Sequence, residues 1–294
     1  MRICRFNDNR LGLVEGEQVR DVTAALNVLP SYRYPLPQFD PLVAHLPEVM
    51  HQIALLAPTA QALPLSQITL LSPIANPGKI VAAPVNYINH LNEAREQAEI
   101  HHNNRVAAIQ EVGLFLKANS ALVGPSAGVE LKHPNRRNDH EAELVVVIGK
   151  AGRDIPRSRA LEYVAGYAVG LDMTTRGPEE RSLRKSIDSY AVMGPWLVTA
   201  DEVPDPSNIA FRLTVNGEPR QQANTCDLII DVPGLIAFAS SFYTLHPGDL
   251  LFTGTPEGVG PVVPGDQIDC SFDGIGAITV KVRAAVETEM RDKL

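Results

Sequence analysis

Two stretches in the middle of the chain are apolar at nearly every position rather than at alternate ones. Residues 144–149 read LVVVIG and residues 163–171 read YVAGYAVGL. Continuous runs of this kind, rich in β-branched side chains and bounded by turn signals, are typical of strands that are covered on both faces. We therefore expect two buried strands that pair with each other. We also predict helices over Arg157–Ala165 and Pro233–Tyr243.

The first 72 residues have a pattern of their own. Three short runs, RICRF, LGLVEG and EQVRDV, read as strands separated by turns, and a proline-rich, partly helical stretch follows from about residue 23 to residue 66. Two apolar strands around a Pro-Gly turn then open a second unit. The sequence thus predicts a small N-terminal domain, residues 1–72, followed by a larger domain, residues 73–294.

Strand-like runs dominate the chain from Pro195 onward. They are bounded by Asn-Gly, Pro-Gly-Asp and glycine turns, as in antiparallel hairpins. The stretch Ile88–Val112 is instead long and polar, with a weak apolar stripe at Leu91, Ala94 and Ala98. The expected fold class is α+β, with a β-rich closed or rolled sheet of mixed strands and flanking helices.

Composition and charge exclude several classes of protein. The chain is 45% hydrophobic and 20% charged, which is typical of a folded globular protein. Its net charge of -8 argues against nucleic acid or an anionic membrane as a partner. The three cysteines show no CxxC spacing, the N-terminus lacks the apolar core of a signal peptide, and no apolar run is long enough to span a bilayer. We expect a cytoplasmic protein.

Glu141 and Glu143 stand two residues apart at the start of the first apolar run, in the sequence DHEAELVVVIGK. Alternation along a strand puts both carboxylates on one face, where they repel each other unless a cation lies between them. Oxygen ligands select hard metals, so the pair indicates a site for Mg²⁺ or Mn²⁺. Two ordinary glutamates on a solvated strand edge would give the same pattern.

A third carboxylate, Asp172, follows the second apolar run. It would complete a metal triad, although an aspartate that caps a turn or helix is equally consistent with its position. His90 and Glu93 have the i, i+3 spacing that lets a carboxylate orient an imidazole as a base. An incidental pair on a surface helix has the same spacing. The segment GTPEGVG, residues 254–260, lacks the Gly-Lys-Ser/Thr ending of a phosphate loop, so nucleotide binding is not expected.

An ordered series of motifs resembles the fumarylacetoacetate hydrolase family over about residues 73–285. NYINHLNEA resembles the family's NYxxHxxE segment, LFLKANSALVGP resembles FLKPxSALVGP, and DHEAELVVVIGK resembles the metal-bearing EAELAVVIG strand. GLDMTTR is similar to NDxTARD, and RKSIDSYAVMGPWLVT is similar to GKSFDTFAPLGPWLVT. Residues 215–241 and 245–260 complete the match.

The resemblance implies a fold, a cofactor and a set of site residues. It implies a β-rich roll behind a smaller N-terminal domain, a homodimer, and a divalent metal, usually Mg²⁺. The implied roles fall into three groups: Glu141, Glu143 and Asp172 as metal ligands; His90, Glu93 and Lys185 as catalytic residues; Tyr87, Lys117, Arg176 and Thr255 as substrate-binding residues. The His90–Glu93 pair is implied to lie on a lid.

The implied substrate is an acylpyruvate or related 2-oxo acid. His90, oriented by Glu93, would activate water to attack the distal carbonyl, and cleavage of the carbon–carbon bond would release pyruvate and a carboxylic acid. Decarboxylation or isomerisation by the same metal–enolate chemistry is an alternative, as is a non-catalytic binding protein on the same scaffold. The chain departs from the family pattern after Arg176, where GPEERSLRK replaces a segment with an acid and an amide.

Overall fold

The computed structural model describes residues 1–102 and 106–285. The strands are β1 (Arg2–Phe6), β2 (Arg10–Glu15), β3 (Gln18–Asp21), β4 (Ala62–Pro64), β5 (Leu70–Leu71), β6 (Ile80–Ala82), β7 (Phe115–Lys117), β8 (Leu122–Val123), β9 (Val129–Leu131), β10 (Asn138–His140), β11 (Ala142–Ile148), β12 (Val164–Asp172), β13 (Thr174–Thr175), β14 (Ala191–Thr199), β15 (Ala210–Val215), β16 (Glu218–Asn224), β17 (Leu250–Phe252), β18 (Gly260–Pro261), β19 (Gln267–Phe272) and β20 (Gly276–Ala284). The α-helices are α1 (Pro41–Ala44), α2 (Leu46–Leu56), α3 (Ile88–Glu96), α4 (Ala98–His101), α5 (Ile109–Val112), α6 (Arg181–Lys185) and α7 (Val232–Phe242).

The largest sheet runs in the order β4-β3-β2-β1-β14-β12-β11-β17-β6-β7, with β5 beside β1 and β8 beside β14. Both of its faces are covered, as the two apolar runs predict. Along β11, Leu144 and Val146 belong to one hydrophobic cluster, while Val145 and Val147 belong to the cluster on the other face. Burial on both faces explains why this strand has no polar alternation.

The three predicted N-terminal strands are confirmed as β1, β2 and β3. Strand β1 pairs antiparallel with β14, so this part of the chain extends the largest sheet. Asp40 caps α1 by accepting a hydrogen bond from Val43 N at 3.2 Å, with Pro41 in the first turn. The division into domains 1–72 and 73–294 stays a prediction, and residues 286–294 lie outside the described part of the chain.

The β-rich character after residue 195 is confirmed. A second sheet has the order β16-β15-β19-β20-β9, and a small one has the order β13-β10-β18. The Asn216-Gly217 turn joins β15 to β16 with positive φ at both residues, 52° and 81°, which is the backbone that Asn-Gly favours. None of the three sheets in the described residues closes into a barrel, so the rolled alternative holds and the closed one does not.

The helix predictions had mixed outcomes. The helix over Pro233–Tyr243 is confirmed as α7, which Asp231 caps by accepting from Gly234 N at 3.0 Å. The prediction of a helix over Arg157–Ala165 is wrong, because Arg157–Tyr163 forms a 3₁₀ helix. From Val164 onward the chain forms β12, which pairs with β11. No helix in the described ranges has the length and hydropathy to cross a bilayer.

The polar stretch after residue 87 forms short helices rather than one long helix. Residues 103–105 of it lie outside the described part of the chain. Leu91 and Ala94 of the predicted apolar stripe are buried on α3, but Ala98 is exposed because α3 ends at Glu96. The stripe therefore holds only over the first two turns, which carry His90 and Glu93.

Candidate active site

Three buried carboxylates meet where β11 begins and β12 ends. The backbone N–H of Asp172 donates to the carbonyl oxygen of Glu141 at 2.9 Å, and Glu143 is paired with Gly170. This register places the three side chains together: one oxygen of each of Glu141, Glu143 and Asp172 lies within 4.8 Å of the others. None of the three residues is more than 4% exposed.

Two buried cations contact this carboxylate cluster from the side. Lys185 Nζ donates to Glu141 Oε2 at 2.6 Å and to Asp172 Oδ2 at 2.8 Å. Arg176 donates through Nη2 to Glu141 Oε1 at 2.8 Å and through Nε to Asp139 Oδ2 at 2.7 Å. Charge-assisted contacts of this kind fix the rotamers of the carboxylates that they touch.

Lys117 lies behind the cluster and is completely buried. Its Nζ donates to the Asp172 carboxylate and to the main-chain oxygen of Lys185. Burial lowers the pKa of Lys117 and the Asp172 charge raises it, with a net lowering. Lys117 therefore holds in place both Asp172 and Lys185, the residue that bridges Asp172 to Glu141.

Neighbouring positive charges offset the negative charge of Glu141 more than that of Glu143. Burial raises the pKa of Glu141, but the charges of Lys185 and Arg176 outweigh it and hold that pKa well below its ordinary value. Burial, followed by repulsion from Asp172, raises the pKa of Glu143 well above its ordinary value. Glu143 has no ion-pair partner among residues 1–102 and 106–285; it accepts a hydrogen bond from Gly254 N at 2.7 Å.

This imbalance is the test of whether a metal ion fits. Three hard oxygen donors converge in a buried place, and one of them, Glu143, has no contacting cation among residues 1–102 and 106–285 that would stabilise its ionised form. A divalent cation among them would remove the repulsion between Glu143 and Asp172, and oxygen-only donors suit Mg²⁺ or Mn²⁺. The residues present therefore fit a divalent metal ion.

The loop 254–260 links this cluster to the predicted His–Glu pair. His90 Nδ1 lies 2.9 Å from Glu93 Oε2, and the other oxygen of Glu93 accepts a hydrogen bond from Gly258 N at 3.0 Å. Gly254 and Gly258 have φ values of 97° and 88°, a backbone that only glycine adopts easily. These two glycines turn their N–H groups toward Glu143 and Glu93.

A single cavity contains most of the predicted site residues. Its lining includes His90, Glu141, Glu143, Arg176, Lys185 and Thr255. His90 of the His–Glu pair and two members of the carboxylate cluster, Glu141 and Glu143, thus face the same space, where a base and a charged centre can act on one small molecule. Glu93 and Asp172 are not among the lining residues; Glu93 contacts His90, and Asp172 contacts Lys185.

Two predicted substrate-binding residues are not among the side chains that line this cavity. Tyr87 is buried and packs edge-on against Phe211, with 6.3 Å between the ring centroids. Lys117 lies behind Asp172, as described above. Substrate binding by these two residues stays a prediction.

Residues 79–283 match the model of the fumarylacetoacetate hydrolase C-terminal domain, and the motifs and site geometry lie within this range. The chain belongs to the fumarylacetoacetate hydrolase family. The family predicted from the sequence is confirmed, as is the fold of mixed sheets with flanking helices.

Individual relatives of the family cover nearly the whole chain. Maleylpyruvate hydrolase of Aquipseudomonas alcaligenes is 57% identical over 288 residues, which are 97% of this chain and 100% of that protein. The crystal structure of maleylpyruvate hydrolase from Sphingobium sp. SYK-6, in complex with manganese(II) and pyruvate, has a TM-score of 0.82 at 40% identity and covers 97% of this chain and 100% of that one. The chain is thus a metal-dependent hydrolase that acts on a carbon–carbon bond of an acylpyruvate, as predicted.

More distant members of the fumarylacetoacetate hydrolase family have other activities. The mitochondrial oxaloacetate tautomerase FAHD2A of Homo sapiens is 37% identical over 240 residues, 77% of this chain and 73% of that protein. The predicted alternative of an isomerase is thus represented among the relatives, at lower identity than the hydrolase.

Gln221 is a site residue that no motif in the sequence predicted. It is 2% exposed, and its Oε1 accepts a hydrogen bond from Ala142 N at 2.9 Å while its Nε2 donates to Thr255 Oγ1 at 2.8 Å. One amide thus joins the start of the carboxylate-bearing strand to the threonine in the cavity wall. Ala142 and Gln221 are 79 residues apart, and no local pattern indicates their contact.

Arg181 and Arg184 were missed as well, although both line the cavity. They come from the segment that departs from the family pattern. The available signal was the spacing in RSLRK, which puts two arginines and Lys185 on one face of a helix.

Proposed function

We propose that this chain hydrolyses maleylpyruvate, or an acylpyruvate close to it, to pyruvate and a dicarboxylic acid. The observation that carries this proposal is the shared cavity, which is lined by a carboxylate-oriented histidine, His90, and by two members of the three-carboxylate cluster, Glu141 and Glu143. The near-full-length identity to a maleylpyruvate hydrolase supports the choice of substrate.

The metal in this proposal is Mg²⁺ or Mn²⁺, held by Glu141, Glu143 and Asp172. When bound there, the ion supplies positive charge that stabilises the enolate developing at the pyruvate end of the substrate. Lys185 adds a second positive charge beside the same oxygens, and Thr255 offers a hydroxyl to the substrate carboxylate.

His90 and Glu93 activate the water molecule that acts as the nucleophile. Glu93 occupies Nδ1 of the imidazole and leaves Nε2 to take a proton from water, which adds to the distal carbonyl carbon. The tetrahedral adduct then breaks its bond to the methylene carbon of the pyruvate unit. The electron pair forms the enolate of pyruvate. The protonated His90 returns its proton to the methylene carbon, which completes the release of pyruvate and the acid and restores the neutral imidazole.

Arg176, Lys117 and Tyr87 remain candidates for substrate binding. The contacts of Arg176 and Lys117 also support a positioning role, since both hold members of the carboxylate cluster. The same proposal includes a lid on α3, a homodimer, a cytoplasmic location and no nucleic-acid partner, as expected from the family resemblance and the net charge.

The experiment is turnover of maleylpyruvate in H₂¹⁸O with Mg²⁺ or Mn²⁺, followed by mass spectrometry. We expect pyruvate and a dicarboxylic acid with one ¹⁸O in its new carboxyl group. The second candidate is a tautomerase, favoured by the 37% identical relative. A tautomerase would consume the enol form of oxaloacetate and would release no pyruvate from maleylpyruvate. These two results together would contradict the hydrolase.

A further inference from the structure

Helix α6 turns three cationic side chains toward one wall of the cavity. Arg181, Arg184 and Lys185 occupy positions i, i+3 and i+4 of one helical face, and all three line the cavity. Leu183, between them in sequence, points away and is 65% exposed. The helix is thus oriented by its charged face, with its apolar residue left in solvent.

The three cations differ in what they contact. Lys185 bridges Glu141 and Asp172. Arg184 donates to main-chain oxygens, those of Glu179 at 2.8 Å and Thr175 at 3.2 Å. Arg181 lies with its guanidinium carbon 5.6 Å from the centroid of the Phe115 ring. Across the described ranges, no carboxylate forms an ion pair with Arg181 or Arg184.

An arginine without a counter-ion in a cavity wall is a natural site for an anion. Arg181 is only partly exposed, so its charge is less screened than that of a surface arginine. Burial lowers the pKa of Arg181 and the carboxylates of Glu141 and Glu180 raise it, yet a guanidinium remains protonated near neutral pH. Its planar fork of N–H donors matches the two oxygens of a carboxylate.

The segment that carries Arg181 is fixed at its start. Arg136 forms a two-point ion pair with Glu179, at 2.9 and 2.7 Å, and also donates to the main-chain oxygen of Arg176 at 2.8 Å. The ion pair lies against Gly177, where a Cβ atom would come within 1.9 Å of Arg136 Nη2. Residues 176–185 are thus held in a defined course along the cavity.

We propose that Arg181, with Arg184 beside it, recognises a second carboxylate at the far end of the acyl group. The enzyme would therefore select acylpyruvates derived from dicarboxylic acids. This inference rests on the proposed function, since it assumes that the 2-oxo acid end of the substrate lies at the carboxylate cluster beside Lys185. Arg181 is one helical turn from Lys185, so the two contact different parts of one molecule.

The test compares two substrates, maleylpyruvate and acetylpyruvate; the latter carries a methyl group in place of the whole carboxyvinyl group that bears the distal acid. For Arg181→Gln we expect the ratio of kcat/KM values, maleylpyruvate over acetylpyruvate, to fall by about 10- to 100-fold, as for loss of a charged hydrogen bond. In Arg181→Lys we expect a ratio between those of Arg181→Gln and the wild type, because lysine keeps the positive charge but lacks the planar set of guanidinium N–H donors. The control is Arg159→Gln, an exposed arginine paired with Glu162, which leaves the ratio unchanged.

Binding gives a readout that does not depend on turnover. Titration calorimetry with Mn²⁺ present compares 2-oxoheptanedioate with 2-oxoheptanoate, which differ only in the distal carboxylate. We expect Arg181→Gln to weaken binding of the diacid far more than that of the monoacid. Equal losses for both ligands, or no loss for either, would overturn the inference. Wild-type protein that cleaves neither acylpyruvate would contradict the proposed function instead, and the calorimetric comparison would still decide the role of Arg181.

Discussion

The carboxylate of Glu93 is held from two sides: Oε2 lies 2.9 Å from His90 Nδ1, and Oε1 accepts the backbone N–H of Gly258 at 3.0 Å. The side chain of His90 is 5% exposed and lines the cavity, so its ring has little freedom to turn. The glycine loop therefore acts on the imidazole through Glu93. The same loop supports Glu143 through Gly254 N.

Removing the base should abolish most of the activity without affecting the metal site. We expect His90→Gln to lower kcat by about 10²- to 10⁴-fold, the usual contribution of a positioned general base, and Glu93→Gln to lower it less because the imidazole remains. Steady-state kinetics on an acylpyruvate measures kcat, and Mn²⁺ titration should give the same affinity as wild type. Asn92→Ala, exposed on the same helix, serves as the control. Wild-type turnover by His90→Gln would exclude the proposed mechanism.

Glu143 and Asp172 should respond in opposite ways to loss of charge in the metal-free protein. Glu143→Gln removes repulsion between buried carboxylates, so we expect the free energy of unfolding in the presence of a chelator to stay the same or rise. Asp172→Asn leaves Lys117 and Lys185 without a shared partner and should cost about 3–5 kcal/mol. Both variants should lose the rise in melting temperature that Mn²⁺ gives the wild type. A metal-dependent rise of wild-type size in Glu143→Gln would show that Glu143 is not a ligand.

The three cysteines should differ in how fast they react with a thiol-labelling reagent. Burial raises the pKa of Cys4 to about 12 and raises that of Cys270 as well, so both remain protonated and shielded at neutral pH. Cys226 is exposed, and desolvation and the neighbouring Asp227 raise the pKa of its thiol above the ordinary cysteine value. Because the thiolate is the form that reacts, its labelling rate should increase as the pH rises toward this raised pKa. We expect one reactive thiol in the native protein, three after unfolding, and none in native Cys226→Ser. Two reactive thiols in the native wild type would contradict the burial of Cys4 or Cys270.

The parts of the fold that local sequence determines were predictable. The strands β11 and β12 could be identified because burial on both faces requires a continuous apolar run, and their antiparallel register then brings Asp172 beside Glu141. The His90–Glu93 pair was predictable because an i, i+3 spacing is local to one helix. Family resemblance added the motifs that no periodicity could assign.

Contacts between distant segments were not predictable in this way. Arg157–Tyr163 has a sequence compatible with an α-helix, but the neighbouring strand pairing decides its conformation. Lys117 and Tyr87 lie outside the cavity wall because other segments of the chain cover them. For Lys117, the contacting residue Asp172 is 55 residues away in the sequence. Gln221 was missed for the same reason. Arg181 had a local signal in the spacing of RSLRK, but the cavity that it lines is created only by the whole fold.

Gln221 allows a direct test of such a long-range contact. Gln221→Leu keeps a side chain of similar size but leaves Ala142 N and Thr255 Oγ1 without their buried partner. We expect a loss of about 1–3 kcal/mol in the free energy of unfolding, measured by urea denaturation, together with a higher KM for an acylpyruvate because Thr255 loses its support. Gln222→Leu, on the exposed face of the same strand, is the matched control and should change neither quantity. If Gln221→Leu changes stability while KM stays at the wild-type value, the amide supports the fold alone and Thr255 does not depend on it to contact the substrate.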